Sequence, residues 1–130
     1  MSDDIEELKQ SLRRFMASEF ERVPPKRETS RQVHLEVWRA PEKPRPVALE
    51  MDHADRVNLW VLTYQAPKSL PPSVEVVPKE PKKPKGWTDA DGRGANSNLS
   101  AYDEFHSKPV TRLGVRSEAD ARLILDHLLK

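Results

Sequence analysis

Hydrophobic residues recur every three or four positions near the N-terminus of this 130-residue chain. This spacing predicts an α-helix over residues 3–20, and the pair Pro24-Pro25 then prevents the helix from continuing. In so small a protein such an apolar stripe is expected to pack in the core, although it would also suit contact with a second copy of the chain. The stripe consists of Ile5, Leu8, Leu12, Phe15, Met16 and Phe20.

Alternation of apolar and polar residues predicts β-strands further along the chain. Gln32–Ala40 and Pro46–Asp52 each place their apolar side chains on one face. Val57–Tyr64 is largely apolar on both faces, which is typical of a central strand that is covered from two sides. The short connections between these three strands favour an antiparallel meander, and Val110–Val115 is predicted as the last strand.

A second helix is predicted at the C-terminus. Ser117 and Asp120 form a capping box at its start, and the apolar stripe that follows contains Ala121, Leu125 and Leu128. The pattern as a whole predicts one α+β domain over residues 1–130. We expect a mainly antiparallel sheet of four to five strands, with the N-terminal and the C-terminal helix packed on one face.

Residues 65–86 differ from the rest in composition. They contain six prolines between Pro67 and Pro84, and five basic side chains against two acidic ones. Proline cannot donate the backbone hydrogen bonds of a central strand, so this segment is predicted to be a stiff, basic polyproline II arm. A short edge strand at Val74–Val77 is an alternative within this segment.

The next segment, Gly86–Phe105, is a polar loop that holds three of the four glycines. Its Asp89-x-Asp91 pattern resembles the start of a calcium loop, but Arg93 and Ser100 occupy the fifth and twelfth positions, where oxygen ligands are needed. No phosphate-binding Gly-Lys-Ser/Thr or dinucleotide motif is present. The loop is therefore predicted either to bind an anion through its donors or to be a simple surface turn.

The candidate binding residues lie in the basic arm and in this loop, where cations, amide donors and aromatic rings can contact phosphate or stack on a base. An alternative for Trp87 is that it anchors the arm to the sheet. The candidates are Lys82, Lys83, Lys85, Trp87, Arg93, Asn96, Asn98 and Tyr102.

The sequence favours no catalytic centre, metal or cofactor, and so no enzyme. The chain has no cysteine, its four histidines share no metal-ligand spacing, and no nucleophile motif is present. One arrangement of carboxylates leaves an enzymatic function as an alternative. Glu50 and Asp52 share a strand face, and with Glu36 on a neighbouring strand they could serve a metal-dependent phosphodiesterase or nuclease.

The predicted function is a non-enzymatic binding module that presents the basic arm and the polar loop to a protein or nucleic-acid partner. The net charge of +1 argues against a protein that is basic over its whole surface. A homodimeric structural subunit that associates through the first helix is a further alternative. The acidic N-terminus and the lack of a long apolar run lead us to expect a cytoplasmic protein without membrane contact.

Overall fold

The computed structural model describes residues 2–27, 35–83 and 86–130, without the side chains of residues 2 and 3. These ranges contain two α-helices, α1 (Ser2–Glu19) and α2 (Glu118–Leu129). Within the described residues neither helix combines the length and the hydrophobicity that a membrane-spanning segment requires. The strands are β1 (Glu21–Arg22), β2 (Leu35–Arg39), β3 (Pro46–Glu50), β4 (Val57–Leu62), β5 (Glu75–Pro81), β6 (Trp87–Thr88) and β7 (Val110–Val115).

The seven strands form one antiparallel sheet in the order β1-β2-β3-β4-β7-β5-β6. The α+β class, the antiparallel sheet and the β2-β3-β4 meander are thus confirmed. The number of strands exceeds the predicted four to five because β1 and β6 have only two residues each, too few to show an alternation. The edge strand that was left open at Val74–Val77 is present in part, as the first residues of β5.

Strand β4 is central, as its two apolar faces predicted. It pairs with β3 on one side and with β7 on the other, and all six of its residues are buried. Because successive side chains of a strand point to opposite faces, Leu59 and Val61 pack on one face while Trp60 and Leu62 pack on the other. Both faces of the sheet therefore need an apolar layer.

Residues of both helices pack with the first face of the sheet. Leu12 and Met16 of α1 and Leu125 of α2 are fully buried in one cluster with Leu59. The apolar stripe of α1 is consequently occupied within its own chain. Helix α1 begins and ends one residue earlier than predicted, and α2 begins after the predicted cap: Ser117 Oγ accepts a hydrogen bond from the Asp120 amide at 3.2 Å.

Gly86–Phe105 covers the second face of the sheet. Trp87, Leu99, Tyr102 and Phe105 are all buried in one cluster with Trp60 of β4. A 3-10 helix at Ser97–Ala101 lies within this segment. The segment is therefore a packing layer with polar tips, whereas the sequence predicted a polar loop throughout.

Strand β5 replaces much of the predicted polyproline II arm. Glu75–Lys79 pair with β7, and Pro81 pairs with β6 at the end of the strand. Over the Glu75–Lys79 stretch no other described strand pairs with the opposite edge of β5. A proline is tolerated on such an edge because its nitrogen can face away from the neighbouring strand, and Pro78 lies opposite Thr111 in this way.

If Gly86–Phe105 is a core layer, Leu99→Ala will cost about 2–5 kcal/mol in the free energy of unfolding, the usual range for a buried leucine. Leu99 is 0% exposed, whereas Leu123 of α2 is 44% exposed and provides a matched control. Leu123→Ala is expected to cost less than about 1 kcal/mol. Urea unfolding of both variants measures the difference, and equal effects would show that the segment lies on the surface.

Candidate functional site

The predicted basic arm presents two described lysines to solvent. Lys82 and Lys83 are exposed directly after β5, and the Lys82 amide donates to the Gly86 carbonyl at 2.9 Å, which closes the turn towards β6. Lys85, the third predicted lysine, lies outside the described residues. The accessible positive charge of the described turn therefore comes from Lys82 and Lys83.

Both aromatic residues predicted to stack on a partner are buried. Trp87 is 4% exposed, and its Nε1 donates to the Lys108 carbonyl at 2.6 Å. Tyr102 is 3% exposed; burial raises the pKa of its hydroxyl, and the charge of Glu104 raises it further, although Arg22 acts in the opposite direction. Neither ring can stack on a base without leaving the core. The position of Trp87 agrees with the alternative of an anchor.

Lys79 and Asp89 form a buried ion pair beneath the loop. Lys79 Nζ lies 2.6 Å from Asp89 Oδ2, and their side chains are 5% and 9% exposed. The Asp89 carboxylate also accepts the backbone N–H groups of Asp91 and Arg93, each at 2.9 Å. The hydrogen bond from Lys79, followed by that from the Arg93 amide, lowers the pKa of Asp89 from 3.8 to about 2. Lys79 is thus neutralised within the fold.

Three further loop residues were predicted to bind a partner: one of them, Arg93, has an exposed side chain, and the other two, Asn96 and Asn98, are hydrogen-bonded within the chain. The Arg93 side chain is exposed, although its backbone takes part in the Asp89 turn. Asn96 Oδ1 accepts the Asn98 amide at 3.0 Å and so caps the 3-10 helix, and Asn98 is half-buried. Asn96 Nδ2 donates to Glu50 Oε2 at 2.7 Å, which connects the loop to the sheet.

Glu50 is the centre of a polar network on the second face of the sheet. It is 8% exposed at the end of β3, directly opposite Asn58 of β4. Its Oε1 accepts from Asn58 Nδ2 at 2.6 Å and lies 3.2 Å from His53 Nε2. Burial raises the pKa of Glu50, but hydrogen bonds from Asn58, Asn96 and His53 outweigh this effect and hold the pKa below its ordinary value. Glu50 is therefore ionised at neutral pH.

Two arginines extend this network on the other side of Asn58. Arg56 Nε and Arg112 Nη1 donate to the same Asn58 Oδ1, at 2.9 and 3.2 Å. Each guanidinium also has an acidic partner, which is Asp55 for Arg56 and Glu75 for Arg112. The Asn58 amide thus separates a carboxylate from two cations, and each of these two cations has a carboxylate partner of its own.

Glu50, Asp52 and His53 bring three potential metal ligands together. One ligand atom from each lies within 4.8 Å of the others. Glu36, the third carboxylate of the predicted nuclease, cannot join them: it lies opposite Leu49, on the face of the sheet that packs against the helices, and pairs with Arg13 at 3.3 Å. No pattern in the sequence indicated a role for His53. Its side chain approaches Glu50 because of the turn that follows β3, and a turn of this kind has no regular residue spacing that could be recognised in the sequence.

A groove runs between the β5–β6 turn and the covering segment, with a volume of about 270 Å³. Among the described residues, its polar lining consists of one lysine, two serines and exposed or half-exposed glycine backbone, without an acidic residue. The lining residues are Lys82, Gly86, Trp87, Gly94, Ala95, Ser97 and Ser100.

Comparison with known proteins adds no functional assignment. No protein-family model, no curated protein and no solved structure matches this chain. The two candidate sites are therefore defined by their own geometry: the groove beside Lys82, and the network centred on Glu50.

The Lys79–Asp89 pair predicts a specific pH dependence of stability. Because folding lowers the pKa of Asp89 from 3.8 to about 2, the pair stabilises the fold fully above pH about 4, and this stabilisation is lost as the pH falls towards 2. Asp89→Asn should therefore be less stable than the unmodified protein at pH 7, with a difference that narrows below pH about 4. Denaturant unfolding across this range measures the difference.

Asp91→Asn is the matched control, because the Asp91 side chain is exposed on the same turn. Its free energy of unfolding should stay parallel to that of the unmodified protein over the whole pH range. A difference for Asp89→Asn that does not change with pH would contradict the assigned role of the ion pair.

Proposed function

We propose that this chain is a non-enzymatic binding module that holds the phosphate backbone of a nucleic acid in the groove beside Lys82. The observation that carries the proposal is the composition of the groove. Its lining combines Lys82, Ser97, Ser100 and the backbone at Gly86 and Gly94, and the described part of the lining holds no acidic residue. These groups are of the kind that contact phosphate oxygens in nucleic-acid complexes.

Positively charged side chains around the groove also favour binding of an anion. Lys83 and Arg93 are exposed on the two segments that border it, and neither is used by an ion pair within the described residues. Lys79 does not contribute, since Asp89 neutralises it. A contact surface with so few free cations is expected to bind weakly and to depend strongly on salt.

The burial of Trp87 and Tyr102 determines which mode of binding is expected. Aromatic stacking on bases needs exposed rings, and both rings are in the core. Contacts to phosphate carry no sequence information. We therefore expect the module to bind without base preference, and an acidic protein surface is the other partner that such a groove would accept.

Replacing Lys82 and Lys83 by alanine tests this proposal. Fluorescence anisotropy with labelled single-stranded RNA, at several salt concentrations, is expected to show binding whose logarithm falls linearly with the logarithm of salt concentration. Each cation removed should reduce that slope by roughly 0.7 for a single strand. The affinity should fall by up to about fivefold per lysine, the effect of an exposed ion pair.

Lys68→Ala is the control, because Lys68 is exposed in the same part of the sequence but does not line the groove. It should leave both slope and affinity unchanged. Absence of salt-sensitive binding in the unmodified protein would refute the proposal. Binding of polyglutamate without binding of RNA would assign the groove to an acidic protein instead.

A metal-dependent phosphodiesterase or nuclease is the second candidate, and the proximity of Glu50, Asp52 and His53 favours it. Glu50 is already ionised, so a cation would not have to displace a proton from it. Carboxylates with one imidazole suit Mn²⁺ better than Ca²⁺, which prefers oxygen ligands alone. Binding would require His53 Nε2 to give up its contact with Glu50.

Thermal unfolding with Mn²⁺, Mg²⁺ and Ca²⁺ distinguishes this candidate. A cation that binds only the folded state at 100 times its Kd stabilises that state by about 2.7 kcal/mol. We expect Mn²⁺ to raise the Tm most, and Asp52→Asn to abolish the rise. Asp52 is 41% exposed, so this variant should still fold. Asp91→Asn, which lies in the calcium-like sequence pattern, should leave the rise intact. No rise with any cation excludes the candidate.

A further inference from the structure

A second cavity lies on the far side of the covering segment, near the turns that follow β2 and β4. Its volume is about 170 Å³, which is smaller than the usual site for a drug-sized ligand. At about 30 Å³ for each water of the liquid, it has room for about six waters or one small organic molecule. It is lined by Arg39, Pro44, Pro46, Leu62, Tyr64, Glu104 and Lys108.

The carboxylate of Glu104 lines this cavity without a donor. Its Oε1 is closed off from solvent and accepts no hydrogen bond. Within the described residues neither oxygen takes part in a hydrogen bond or an ion pair. A partly buried carboxylate in this state is destabilising, because it has lost water and gained no donor in exchange. Glu104 as a whole is only half-buried, so a molecule in the cavity that carries a positively charged donor can pair with this carboxylate from its accessible side.

Lys108 lines the same cavity and its ammonium is also unpaired in the part of the chain that the structure describes. It makes no ion pair with Glu104, so the two opposite charges lie more than 4.0 Å apart around the cavity. Arg39, the other cation in the lining, is already used: its Nη2 lies 3.1 Å from Glu21 Oε2. The cavity therefore presents one free anion and one free cation.

Much of the remaining lining of the cavity is apolar. Pro46 and Leu62 are buried, and Tyr64 is 74% exposed, one of the most exposed large apolar side chains among the described residues. Aromatic and proline rings of this kind can cover an aliphatic group. The lining thus combines a carboxylate, an ammonium and an apolar surface.

We propose that this cavity binds a small zwitterion of the free amino-acid class. The ligand's ammonium donates to Glu104, its carboxylate pairs with Lys108, and its aliphatic side chain packs on Pro46, Leu62 and Tyr64. The charge complementarity, the volume and the lack of an ion-pair partner for Glu104 among the described residues point to the same ligand. A peptide terminus carries only one of the two charges and would satisfy only one side of the cavity.

Titration of the full-length protein with L-leucine, followed by amide NMR, tests the assignment. A ligand of this size is expected to bind with a Kd on the order of millimolar. Shifts should concentrate at Tyr64, Glu104 and Lys108. L-Leucinamide lacks the carboxylate and N-acetyl-L-leucine lacks the ammonium. Each should bind roughly tenfold more weakly or worse, because each leaves one charged hydrogen bond unmade.

Two variants separate binding from folding. Glu104→Gln should abolish leucine binding and yet raise the Tm by roughly 2–4 °C, because it removes an unpartnered, partly buried charge. Lys108→Gln should weaken binding without changing the Tm, since the Lys108 side chain is exposed. Glu80→Gln, an identical change at an exposed site on β5, should alter neither quantity.

The proposal is overturned if leucine causes no localised shifts up to its solubility limit. It is also overturned if the two blocked analogues bind as well as leucine, or if folded Glu104→Gln binds with unchanged affinity. Equal binding of one blocked analogue alone would show recognition of a single charge, and this too would refute a zwitterion site.

Discussion

The central strand β4 sets the constraint on which the rest of this fold depends. All six of its residues are buried, and its five apolar side chains are divided between two apolar clusters on opposite faces. A sheet with such a strand at its centre needs cover on both faces. Residues of the two α-helices pack on one face, and the described residues contain no third α-helix to cover the other. Gly86–Phe105 supplies that second layer with little regular secondary structure of its own.

A covering layer of this kind has to be fixed by individual contacts, because it lacks a helix's regular apolar stripe. Trp87, Leu99 and Phe105 supply the apolar contacts. Two polar links then fix the segment to the sheet, Lys79 with Asp89 at one end and Glu50 with Asn96 further along. Both links use ionised carboxylates whose pKa values the fold lowers. Lys79 belongs to the basic arm that the sequence predicted to face a partner, and its charge is instead used within the chain.

The sequence was informative wherever a repeating pattern exists. The helical stripes, the β2-β3-β4 meander and the Ser117 cap follow from periodicity and capping chemistry, which depend on neighbouring residues alone. Leu99 and Phe105 could not be placed, because they stand among polar residues without a period. An edge strand at Val74–Val77 was left open, but the continuation of β5 to Pro81 was hidden by Pro78 and Pro81, whose cost depends on whether a strand lies at an edge. His53 reaches Glu50 through a turn, and no spacing rule describes that approach.

The covering layer also accounts for where the candidate sites lie. Ser97 and Ser100 line the groove beside Lys82, Asn96 contacts Glu50, and Glu104 lines the smaller cavity. Each site therefore takes at least one residue from Gly86–Phe105 and the rest from the sheet or its turns. A layer held at separate points leaves gaps and unpaired polar groups along its borders, whereas a packed helix would close them. The segment that completes the core is, for this reason, also the one that forms the surfaces at which ligands can bind.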